Sequence, residues 1–578
     1  MPGLAGFVSR EGAPTTDRAA LTAMRDLLGH TATRHDELFA DGTVAATRCH
    51  TDLLQPQLQP CARAGRYLWL DGELYNRAEV APQASSDAEA LLYLHRRDGD
   101  HALVQLDGLY TAVLYDPTTH QLHLINNRYG LRPLYWTQHR GRLAWASELK
   151  ALLALPDFVP RLDRQALESF LAVGYLDGDR TWFEGIQRLP AATRLSWDLQ
   201  AHTHHFTPYW SWDQVPPLSG RPSQGDLAAE LGELFTAAVA RRCQGDQRVG
   251  LVLSGGLDSR AILAAAPHPP VTATFGRPDS PDARLAARAA RRKGARHHLL
   301  ELQATDWLAP RLDAVWHTDG MLDILHMHGV ETFSPLKGYF SIALNGAGGD
   351  GLAGGGHLFA AAEFDAHLQN RLGLEVAHWP QVHQRLKAQF ARAGSAHAFY
   401  IDHRMRSFTV YGPLMGTFKG LEYRLPFLDN AFQEKLFAVP TTLKKGNQLY
   451  RRMLLQAFPR FYRTIPWATT GVPLTWPAWT GRLLRGSRRL LGQSTATTGL
   501  DYAAWLRQSP ARDWVAACLL GREALYPDYI DRQQVQTAWE VHLAGHDQTV
   551  PLGRYLTVEI FLQQVFARRW RSGGLGNM

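Results

Sequence analysis

The fold of this chain is decided by residues 249–260, which read VGLVLSGGLDSR. The first five are apolar and predict a short buried strand, and the sequence from Ser259 onward is typical of a helix. Between them, Gly255 and Gly256 allow the backbone to turn tightly and to point several N–H groups into one concavity. The positive end of the helix dipole adds to these donors, so the turn is suited to hold an anion such as pyrophosphate.

The side chains around this turn support the same interpretation. Ser254 and Ser259 offer hydroxyl donors, and Asp258 can hold the magnesium ion that accompanies a polyphosphate. The chain contains no G-x-x-x-x-G-K-[ST] motif, which excludes a Walker-type loop. The pattern S-G-G-x-D-S resembles the PP-loop of enzymes that split ATP between the α and β phosphates and adenylate a carboxylate or amide oxygen.

A second glycine-rich turn follows another apolar segment, residues 340–344, and reads NGAGGD at residues 345–350. Alone it would be an ordinary structural turn. After the first motif, it predicts a pyrophosphate clamp in which Asp350 completes a magnesium shell with Asp258. Magnesium favours one or two carboxylates plus phosphate oxygens over a cage made only of protein ligands.

The order of predicted elements indicates two domains, residues 1–210 and 223–578. The first has short alternating strands, which indicate an α+β domain with antiparallel sheets; they lie near residues 67–70, 111–115, 121–125 and 143–146. A Pro- and Gly-containing linker at 214–222 separates the two. In the second domain helices alternate with strands, which predicts an α/β fold with a parallel sheet, a ligand site at the carboxyl strand ends and a helical C-terminal extension. These strands lie near residues 249–253, 271–275, 298–302 and 340–344.

An ordered series of motifs resembles the asparagine synthetase family. The two glycine-rich turns match its synthetase domain in sequence and spacing, and Glu422 with YRLPFLD at 423–429 resembles its E-x-R-x-P-F-L-D stretch. Upstream, LDGELYNR at 70–77 resembles its N-G-E-I-Y-N segment. Further segments follow in family order, namely SDAE at 86–89, RYGLRPLY at 128–135 and ASELK at 146–150. The resemblance covers roughly residues 1–475 and implies a glutamine-amidotransferase-like, Ntn-type domain before a PP-loop ATP pyrophosphatase domain.

The resemblance also implies the site residues, with ATP and Mg²⁺ as cofactors. The residues it assigns to catalysis are Asp258, Asp350, Lys444 and Glu422, the first two also as metal ligands. The residues it places around ATP are Leu253, Ser254, Gly255, Gly256, Leu257, Asp258, Ser259, Phe275, Asn345, Gly346 and Gly348. The residues of a vestigial glutamine site are Arg48, Asp71, Gly72, Glu73 and Asp87.

Departures from the family pattern argue against glutamine as the nitrogen source. Members that hydrolyse glutamine begin Met-Cys-Gly, whereas this chain begins MPGLAG, so we expect no cysteine nucleophile. The Asn that helps to stabilise the oxyanion in the family is Asp71 in this chain, and a carboxylate there would repel the developing negative charge. Arg48 and Asp87 keep the places that would hold the carboxylate and amine of glutamine. We expect an N-terminal domain that is a scaffold without glutaminase activity.

The synthetase half departs from the family at two places. Asparagine synthetases read S-G-E-G-S-D at the second turn, and their Glu is replaced by Ala347. The family's R-x-K-x-G appears as WATTG at 467–471, without its Lys. Both changes affect handling of the acyl-adenylate and the amine, which argues against aspartate and ammonia as substrates. The cations that could replace the missing Lys are Lys444, Lys445, Arg451 and Arg452.

Family members without the N-terminal Cys mostly join an amine and a carboxylate within one molecule, as lasso peptide cyclases and β-lactam or carbapenam synthetases do. The segments LYRRML at 449–454, Phe458-Pro459 and IPW at 465–467, with Gly471, most resemble the lasso peptide cyclases. This resemblance implies that ATP adenylates an Asp or Glu side chain of a ribosomally made precursor peptide. The α-amine of the peptide's first residue then closes a macrolactam, which positioning of the two groups favours. A leader peptidase and a leader-recognition protein would be further partners.

Three other functions stay open at this stage. The chain could be a β-lactam-type synthetase acting on a small β-amino acid, or an ammonia-dependent enzyme that forms an amide as asparagine synthetases do. A non-catalytic binding homologue is disfavoured, because Ser254, Asp258, Ser259 and Asp350 are all present.

Composition excludes several broad classes of protein. The chain is 45% hydrophobic and 20% charged, which is ordinary for a globular protein. No apolar run reaches the roughly 18 residues of a membrane span, and the first residues lack a signal-peptide core. The four cysteines, Cys49, Cys61, Cys243 and Cys518, have no metal or redox spacing and indicate a reducing cytoplasm. The basic run at 288–296 lacks the aromatic residues of a nucleic-acid module, so we expect neither a nucleic-acid nor a membrane partner.

The last hundred residues match no motif of the family. Their aromatic side chains could line a peptide groove, although packing in a core is the simpler interpretation. These side chains are Tyr502, Trp505, Trp514 and Trp539.

Overall fold

The computed structural model describes residues 3–9, 14–29, 35–220, 222–245, 247–305, 307–477, 479–481, 483 and 499–569. The chain divides into two compact units. The first unit comprises Met1–Val215 with Gly373–Gly420, and the second comprises Pro216–Leu372 with Leu421–Met578.

Residues 373–420 belong to the first unit, although the sequence-based division put them with the synthetase half. The reason is a buried carboxylate beside helix Arg164–Val173. Asp177 is 1% exposed and accepts hydrogen bonds from Arg385 Nε at 3.2 Å and Gln389 Nε2 at 3.0 Å. Both donors lie on helix Pro380–Ala393, which is therefore held against the first unit.

Two six-stranded antiparallel sheets form the centre of the first unit. In spatial order, the first sheet contains Ile186–Arg188, Tyr135–His139, Arg142–Ala146, Gly3–Val8, Val44–His50 and His35–Ala40. The second contains His204–Pro208, Thr193–Asp198, Gln121–Asn126, Gly108–Asp116, Arg66–Leu74 and Cys61–Arg63. Side chains from both sheets pack in one apolar cluster, with Trp69, Trp145 and Trp197 at its centre. The antiparallel α+β prediction for this half is confirmed.

Helices of the first unit lie around these sheets. They are Pro14–Leu28, Arg77–Val80, Asp87–Asp98, His101–Gln105, Leu149–Leu152, Arg164–Val173, the 3-10 turn Trp212–Gln214, Pro380–Ala393, Ala396–Phe399, Tyr411–Leu414 and the 3-10 turn Met415–Lys419. A π-helix spans Tyr400–Thr409. Side-chain caps start three of the α-helices. Ser86 accepts from the N–H of Glu89, Asp163 accepts from those of Gln165 and Ala166, and Ser395 accepts from that of Ala398.

A five-stranded sheet in which all neighbours are parallel forms the centre of the second unit. In spatial order it contains His297–Glu301, Val271–Gly276, Val249–Val252, Ile342–Leu344 and Glu422–Arg424. Leu251 pairs with Leu344, which pairs with Arg424, so the loops after these strands start from the same edge. The predicted parallel sheet is confirmed, and Glu422–Arg424 is a fifth strand that the sequence did not predict.

Helices cover this sheet and continue to the C-terminus. The α-helices are Gln224–Arg242, Asp258–Ala265, Pro281–Lys293, Ala309–His317, Phe333–Leu336, Phe364–Leu372, Asn430–Ala438, Thr441–Lys444, Gln448–Ala457, Pro459–Tyr462, Tyr502–Leu506, Ala511–Leu520, Arg532–Leu543 and Thr549–Val565. Shorter 3-10 turns are Ile324–His326, Val330–Thr332, Ala361–Glu363, Pro426–Leu428, Lys445–Asn447 and Tyr526–Asp528, and a π-turn spans Gly349–Ala353. None of the described helices combines the length and the apolar character that crossing a membrane requires.

The C-terminal helices pack against residues 309–326 of the same unit, where Thr557 accepts from the N–H of Ile324 and Gln564 donates to Leu312 O. In helix Thr549–Val565 every residue from Tyr555 to Val565 is buried, and Trp514 and Trp539 are 7% and 3% exposed. The Tyr502 hydroxyl accepts a hydrogen bond from the buried Arg311 guanidinium at 2.7 Å. These contacts favour core packing over a peptide groove for Trp514, Trp539 and Tyr502.

Candidate functional site

The first glycine loop, residues 254–257, joins strand Val249–Val252 to helix Asp258–Ala265. Three successive backbone N–H groups of the loop donate to side-chain oxygens. Ser254 N–H donates to Ser259 Oγ at 3.0 Å, and Gly256 N–H donates to Ser254 Oγ at 3.2 Å. Gly255 N–H donates to Asp282 Oδ1 at 3.2 Å. These are the donors that phosphate oxygens would take over at the start of a helix.

Gly255 is needed because the backbone is closely packed at this point. A Cβ there would lie 2.9 Å from the Cβ of Ala468 and 2.9 Å from Asp282 Oδ1, while the φ of Gly255 lies outside the left-handed region. Any side chain would therefore push the loop away from Asp282 and from the segment that contains Ala468.

The second glycine loop, residues 345–350, packs directly on Asp258. A Cβ at Gly346 would lie 3.0 Å from the Asp258 Cβ, and a Cβ at Gly349 would lie 2.6 Å from Asp258 Oδ1. The backbone N–H of Asp350 donates to Asp258 Oδ2 at 3.0 Å. The structure thus brings together Asp258 and Asp350, the two carboxylate residues that the sequence pairs at a metal site.

Asp258 is the electrostatic centre of this arrangement. Burial raises the pKa of its carboxyl to about 7, and the neighbouring Asp350 charge adds to the rise. The Tyr450 hydroxyl donates to Asp258 Oδ1 at 2.8 Å and opposes part of that shift. Two carboxylates held together in this way favour a cation between them.

Mg²⁺ fits this donor set. Among the described residues, no group of three or more His, Cys, Asp or Glu side chains is arranged to hold a metal ion. Magnesium does not require such a cage, because it takes one or two carboxylates and completes its shell with phosphate oxygens and water. Asp258 and Asp350 are the residues that would hold it.

Three residues without an assigned role in the sequence interpretation hold the first glycine loop in place. The guanidinium of Arg260, which is fully buried, donates to Gly255 O at 2.7 Å, Ile465 O at 3.1 Å and Pro466 O at 2.8 Å. The Tyr462 hydroxyl donates to Leu257 O at 2.7 Å, and Tyr450 holds Asp258. An arginine within an apolar helix was the available sequence signal, since a buried guanidinium must be hydrogen-bonded.

The cations expected to replace the family Lys make other contacts. Lys444 is 1% exposed, and its Nζ donates to Leu436 O at 2.7 Å. Burial lowers the pKa of Lys444 to about 7. Lys445 pairs with Glu363, Arg451 donates to Leu474 O at 2.8 Å, and Arg452 is exposed. The Lys444 amine is thus directed to the end of helix Asn430–Ala438 and not to the glycine loops.

The segment that lacks the family Lys does lie on the first glycine loop. The N–H of Ala468 donates to Gly255 O at 3.1 Å, and Thr469 occupies the position of the missing Lys in the WATTG stretch. The loss of that Lys therefore changes the chemistry next to the predicted phosphate site.

The remaining predicted residues of this half lie at different places. Glu422 pairs in register with Ile342, which pairs with Val249, so Glu422 lies at the amino-terminal edge of the sheet, away from the loops. Phe275 lies near the carboxyl end of its strand, where its ring meets Gly329. Asn345 Oδ1 accepts the Ala347 N–H at 2.8 Å, and Gly348 has a left-handed φ of 91°, so both shape the second loop.

The residues predicted to form a vestigial glutamine site make internal contacts in the first unit. Asp71 forms a two-pronged ion pair with Arg132 at 2.5 and 2.9 Å, and both side chains are buried. Arg48 binds the carboxylate of Glu37 and the carbonyl groups of Gln55 and Gln57. The Asp71 charge that the sequence suggested would repel an oxyanion is therefore balanced by Arg132.

The other residues of that site are also held. Asp87 Oδ2 accepts from Leu74 N–H at 2.8 Å and from Gln55 Nε2 at 2.6 Å, and burial raises the pKa of Asp87 to about 6. Glu73 is buried, and Gly72 has a left-handed φ of 110°. Met1 and Pro2, on which the nucleophile argument depends, lie outside the described residues.

Comparison with known proteins identifies both halves. Residues 1–210 match the family model of the glutamine amidotransferase domain, and residues 230–466 match that of asparagine synthase. A putative glutamine-hydrolyzing asparagine synthetase of Mycobacterium tuberculosis is 28% identical over 311 residues, covering 50% of this chain and 47% of the relative. The glutamine-hydrolyzing asparagine synthetase of Mus musculus is 26% identical over 417 residues, covering 68% of each chain.

The match to the mycobacterial relatives spans about half of their length. Among solved structures, glutamine phosphoribosylpyrophosphate amidotransferase from B. subtilis is 13% identical and covers 53% of this chain and 82% of its own. Its TM-score of 0.26 is too low to support an argument.

The fold, the two loops that meet at Asp258 and the two matched regions agree with one another. An amidotransferase-type domain precedes an asparagine synthase domain, and the motifs of both occur in family order. This chain is a member of the asparagine synthetase family.

Proposed function

We propose that this protein is an ATP-dependent ligase that forms AMP and closes a macrolactam in a ribosomally made peptide, as lasso peptide cyclases do. The observation that carries the ligase assignment is the contact between the two glycine loops, where the N–H of Asp350 donates to the carboxylate of Asp258. It joins two carboxylate residues and a helix N-terminus at the carboxyl edge of a parallel sheet, which is where such folds bind ligands.

The chemistry follows from these groups. A carboxylate oxygen of the peptide attacks the α-phosphorus of ATP, and the bond to pyrophosphate breaks. Asp258 and Asp350 would hold Mg²⁺, which neutralises charge on the leaving pyrophosphate. The peptide's α-amine then attacks the acyl carbon, loses a proton and displaces AMP. Holding the amine and the acyl group together lowers the entropic part of that barrier.

The segments that resemble lasso cyclases support the choice of substrate, because they contact the loops themselves. Tyr450, from the 449–454 segment, donates to Asp258, and Arg260 binds the carbonyl groups of Ile465 and Pro466. The features that separate this chain from asparagine synthetases are thus next to the nucleotide loops. Ala347 and Thr469 stand where the family has Glu and Lys.

Ammonia-dependent formation of an amide is the second candidate, because the family as a whole carries it. A β-lactam-type reaction on a small β-amino acid is the third. Under the first proposal the partners are a precursor peptide and the leader peptidase and leader-recognition protein that prepare it, all in the cytoplasm.

The test is a comparison of substrates with the purified full chain, ATP and Mg²⁺. Linear peptides with a free α-amine and an Asp or Glu at varied positions should release AMP and pyrophosphate and lose the mass of one water. The same peptides with an acetylated amine should form no ring. Release of AMP with aspartate and ammonia, or with a small β-amino acid, and with none of the peptides would refute the cyclase assignment.

A further inference from the structure

The first unit contains a cavity of about 900 Å³ that none of the functional residues above lines. Its walls come from residues 177–191, residues 210–213, helix Pro380–Ala393 and the π-helix Tyr400–Thr409, with Arg128 and Asp163 completing the lining. This volume lies within the range of about 300–1,000 Å³ that is usual for ligand sites.

The π-helix gives the cavity three of its side chains, Asp402, His403 and Arg406. It spans ten residues, and at its end the N–H of Val410 donates to Met405 O at 3.0 Å, five residues back. π-helical turns are rare, are rarely longer than one turn and occur frequently at functional sites. A π-helix of ten residues at the wall of a cavity therefore makes its cavity-lining residues candidates for binding a ligand.

Charges in the lining are only partly balanced. Arg180 pairs with Asp163 at 2.9 Å, and Arg406 pairs with Asp179 at 2.5 Å. Three further carboxylates line the cavity, those of Glu184, Asp213 and Asp402. In the described part of the chain, none of them forms an ion pair with an arginine of the cavity lining. The other two arginines are Arg128, which stacks on Trp210 with 4.6 Å to the ring centroid, and the exposed Arg392. Burial raises the pKa of Asp402 to about 6, and the nearby Arg406 and Arg188 oppose part of that rise.

Three buried polar atoms beside the cavity, on Arg406, His403 and Gln389, have no hydrogen-bond partner among the described residues. One is the donor Nε of Arg406, and the other two can accept hydrogen bonds. These two are Nδ1 of His403, which is 7% exposed, and Oε1 of Gln389, which is 8% exposed. Burial lowers the pKa of His403 to about 3, so its ring is neutral and keeps one acceptor nitrogen. The two buried acceptors and the partly buried carboxylate of Asp402 favour a ligand that donates hydrogen bonds.

The aromatic wall favours the same kind of ligand. Trp210 and Trp212 line the cavity in an edge-to-face arrangement, with ring centroids 4.9 Å apart and an angle of 68° between the ring planes. Indole faces attract ammonium and guanidinium groups, and Trp210 already holds the Arg128 guanidinium in this way.

We propose that this cavity binds an organic cation, a guanidinium or ammonium group presented either by a small molecule or by a side chain of a peptide. Asp402 provides the counter-charge, His403 and Gln389 accept its hydrogen bonds, and Trp212 covers it. This site does not depend on the ligase reaction, because it is built only from residues of the first unit.

Calorimetric titration of the full chain tests the proposal. The probes are agmatine, a short arginine-containing peptide and, as the anionic control, glutarate. At least one of the two cations should bind saturably and glutarate should not, and the two cations distinguish a small-molecule site from a peptide site. Asp402→Asn should weaken cation binding at least about tenfold, whereas Glu79→Gln, an exposed acid of the first unit away from the lining, should leave it unchanged.

A second variant keeps the test decisive if Asp402→Asn does not fold. Gln187 is exposed and lines the cavity, so Gln187→Lys should place a competing cation there and weaken binding, whereas Gln187→Ala should not. The proposal would be overturned if neither cation binds, or if glutarate binds more tightly than the cations. It would also be overturned if the folded Asp402→Asn and Gln187→Lys variants bind the cations with the affinity of the wild-type chain.

Discussion

Asp258 is fixed by two hydrogen bonds, one from the Tyr450 hydroxyl and one from the Asp350 N–H. Its carboxylate therefore has a set orientation before any metal or nucleotide arrives. A carboxylate that is already oriented needs less reorganisation during the reaction. Electrostatic stabilisation of a leaving group is most effective when the stabilising groups are oriented in advance.

Asp258→Asn should keep the shape of the site and lose its charge. We expect ATP–pyrophosphate exchange with the active substrate to fall by about 100-fold or more, the usual effect of removing one preorganised electrostatic group. The melting temperature should stay within a few degrees. Asp528→Asn, an exposed control in the same unit, should retain full exchange. Exchange at the wild-type rate in Asp258→Asn would contradict the metal role.

Tyr450→Phe should separate positioning from folding. Without the hydroxyl, Asp258 loses one of its two hydrogen bonds, and the free energy of unfolding should fall by about 1 kcal/mol. The apparent KM for Mg²⁺ should rise several-fold while kcat at saturating Mg²⁺ changes less. The exposed Tyr529→Phe serves as the control. An unchanged dependence on Mg²⁺ would show that Tyr450 only packs.

Lys444 gives a prediction about stability and pH. Its pKa is about 7 in the folded chain and 10.5 for the free side chain, so the unfolded chain binds the proton more tightly. This residue therefore makes stability rise with pH between about 7 and about 10.5, and has no effect on the slope below about 7.

Lys444→Met should flatten that rise, by at most about 1.4 kcal/mol per pH unit. Urea unfolding of both proteins at several values between about pH 6 and pH 9 measures it. An identical slope in the two proteins would mean that the ammonium is solvated in solution. A large loss of kcat in the variant would instead support a catalytic role for Lys444.

At the scale of elements, the two glycine loops form one unit because glycines let them touch. Gly349→Ala places a methyl group 2.6 Å from Asp258 Oδ1, so one loop must move. We expect loss of most pyrophosphate exchange with little loss of helix signal in circular dichroism. Gly225→Ala, where the new methyl group meets only Ser223 Oγ at 3.4 Å, should retain activity and be slightly more stable. Similar pyrophosphate exchange in the Gly349→Ala and Gly225→Ala variants would argue against a functional role for the contact between Gly349 and Asp258.

Elements with strong patterns were predictable and short ones were not. The strands before the two glycine loops are mostly apolar runs, and the first glycine follows each run after one polar residue. The sequence therefore placed these strands and the loops after them. Strand Glu422–Arg424 has three residues with charged ends and offers no periodicity to detect. The π-helix was missed because its hydrogen bonds, five residues apart, need no particular residue type.

Site residues show the same limit. The meeting of Asp258 and Asp350 could be predicted because motif position fixes their backbone and their side chains are short. Lys444 was chosen for its charge, but a long side chain can point in several directions, and this one points to Leu436 O. Glu422 lies away from the loops because of the register in which its strand pairs with the neighbouring strand. That register depends on the pairing partner, which a single sequence does not reveal.

At the scale of the whole molecule, the first unit keeps the amidotransferase-type fold, while residues predicted to form a glutamine site make ion pairs within the unit. Asp71 and Arg132 neutralise each other there, and Arg48 binds Glu37. We expect no glutamate release from glutamine, measured with glutamate dehydrogenase, in the presence of ATP and Mg²⁺. Asp71→Asn should not create the activity and should lower the melting temperature, since it leaves a buried guanidinium without its partner. Glutamate release by the wild-type chain would refute this prediction.

The return of residues 373–420 to the first unit has a consequence for synthesis in the cell. When the ribosome has released the two antiparallel sheets, the arginine and glutamine that bind Asp177 have yet to be translated. While much of the parallel-sheet unit is being added, the nascent chain must therefore carry an incomplete first unit. In it Asp177 can contact Ser169 and Arg180 but lacks its bonds to Arg385 and Gln389. Chaperones that shelter long nascent chains, and slow codons placed after residue 420, would be expected to govern the yield of this protein.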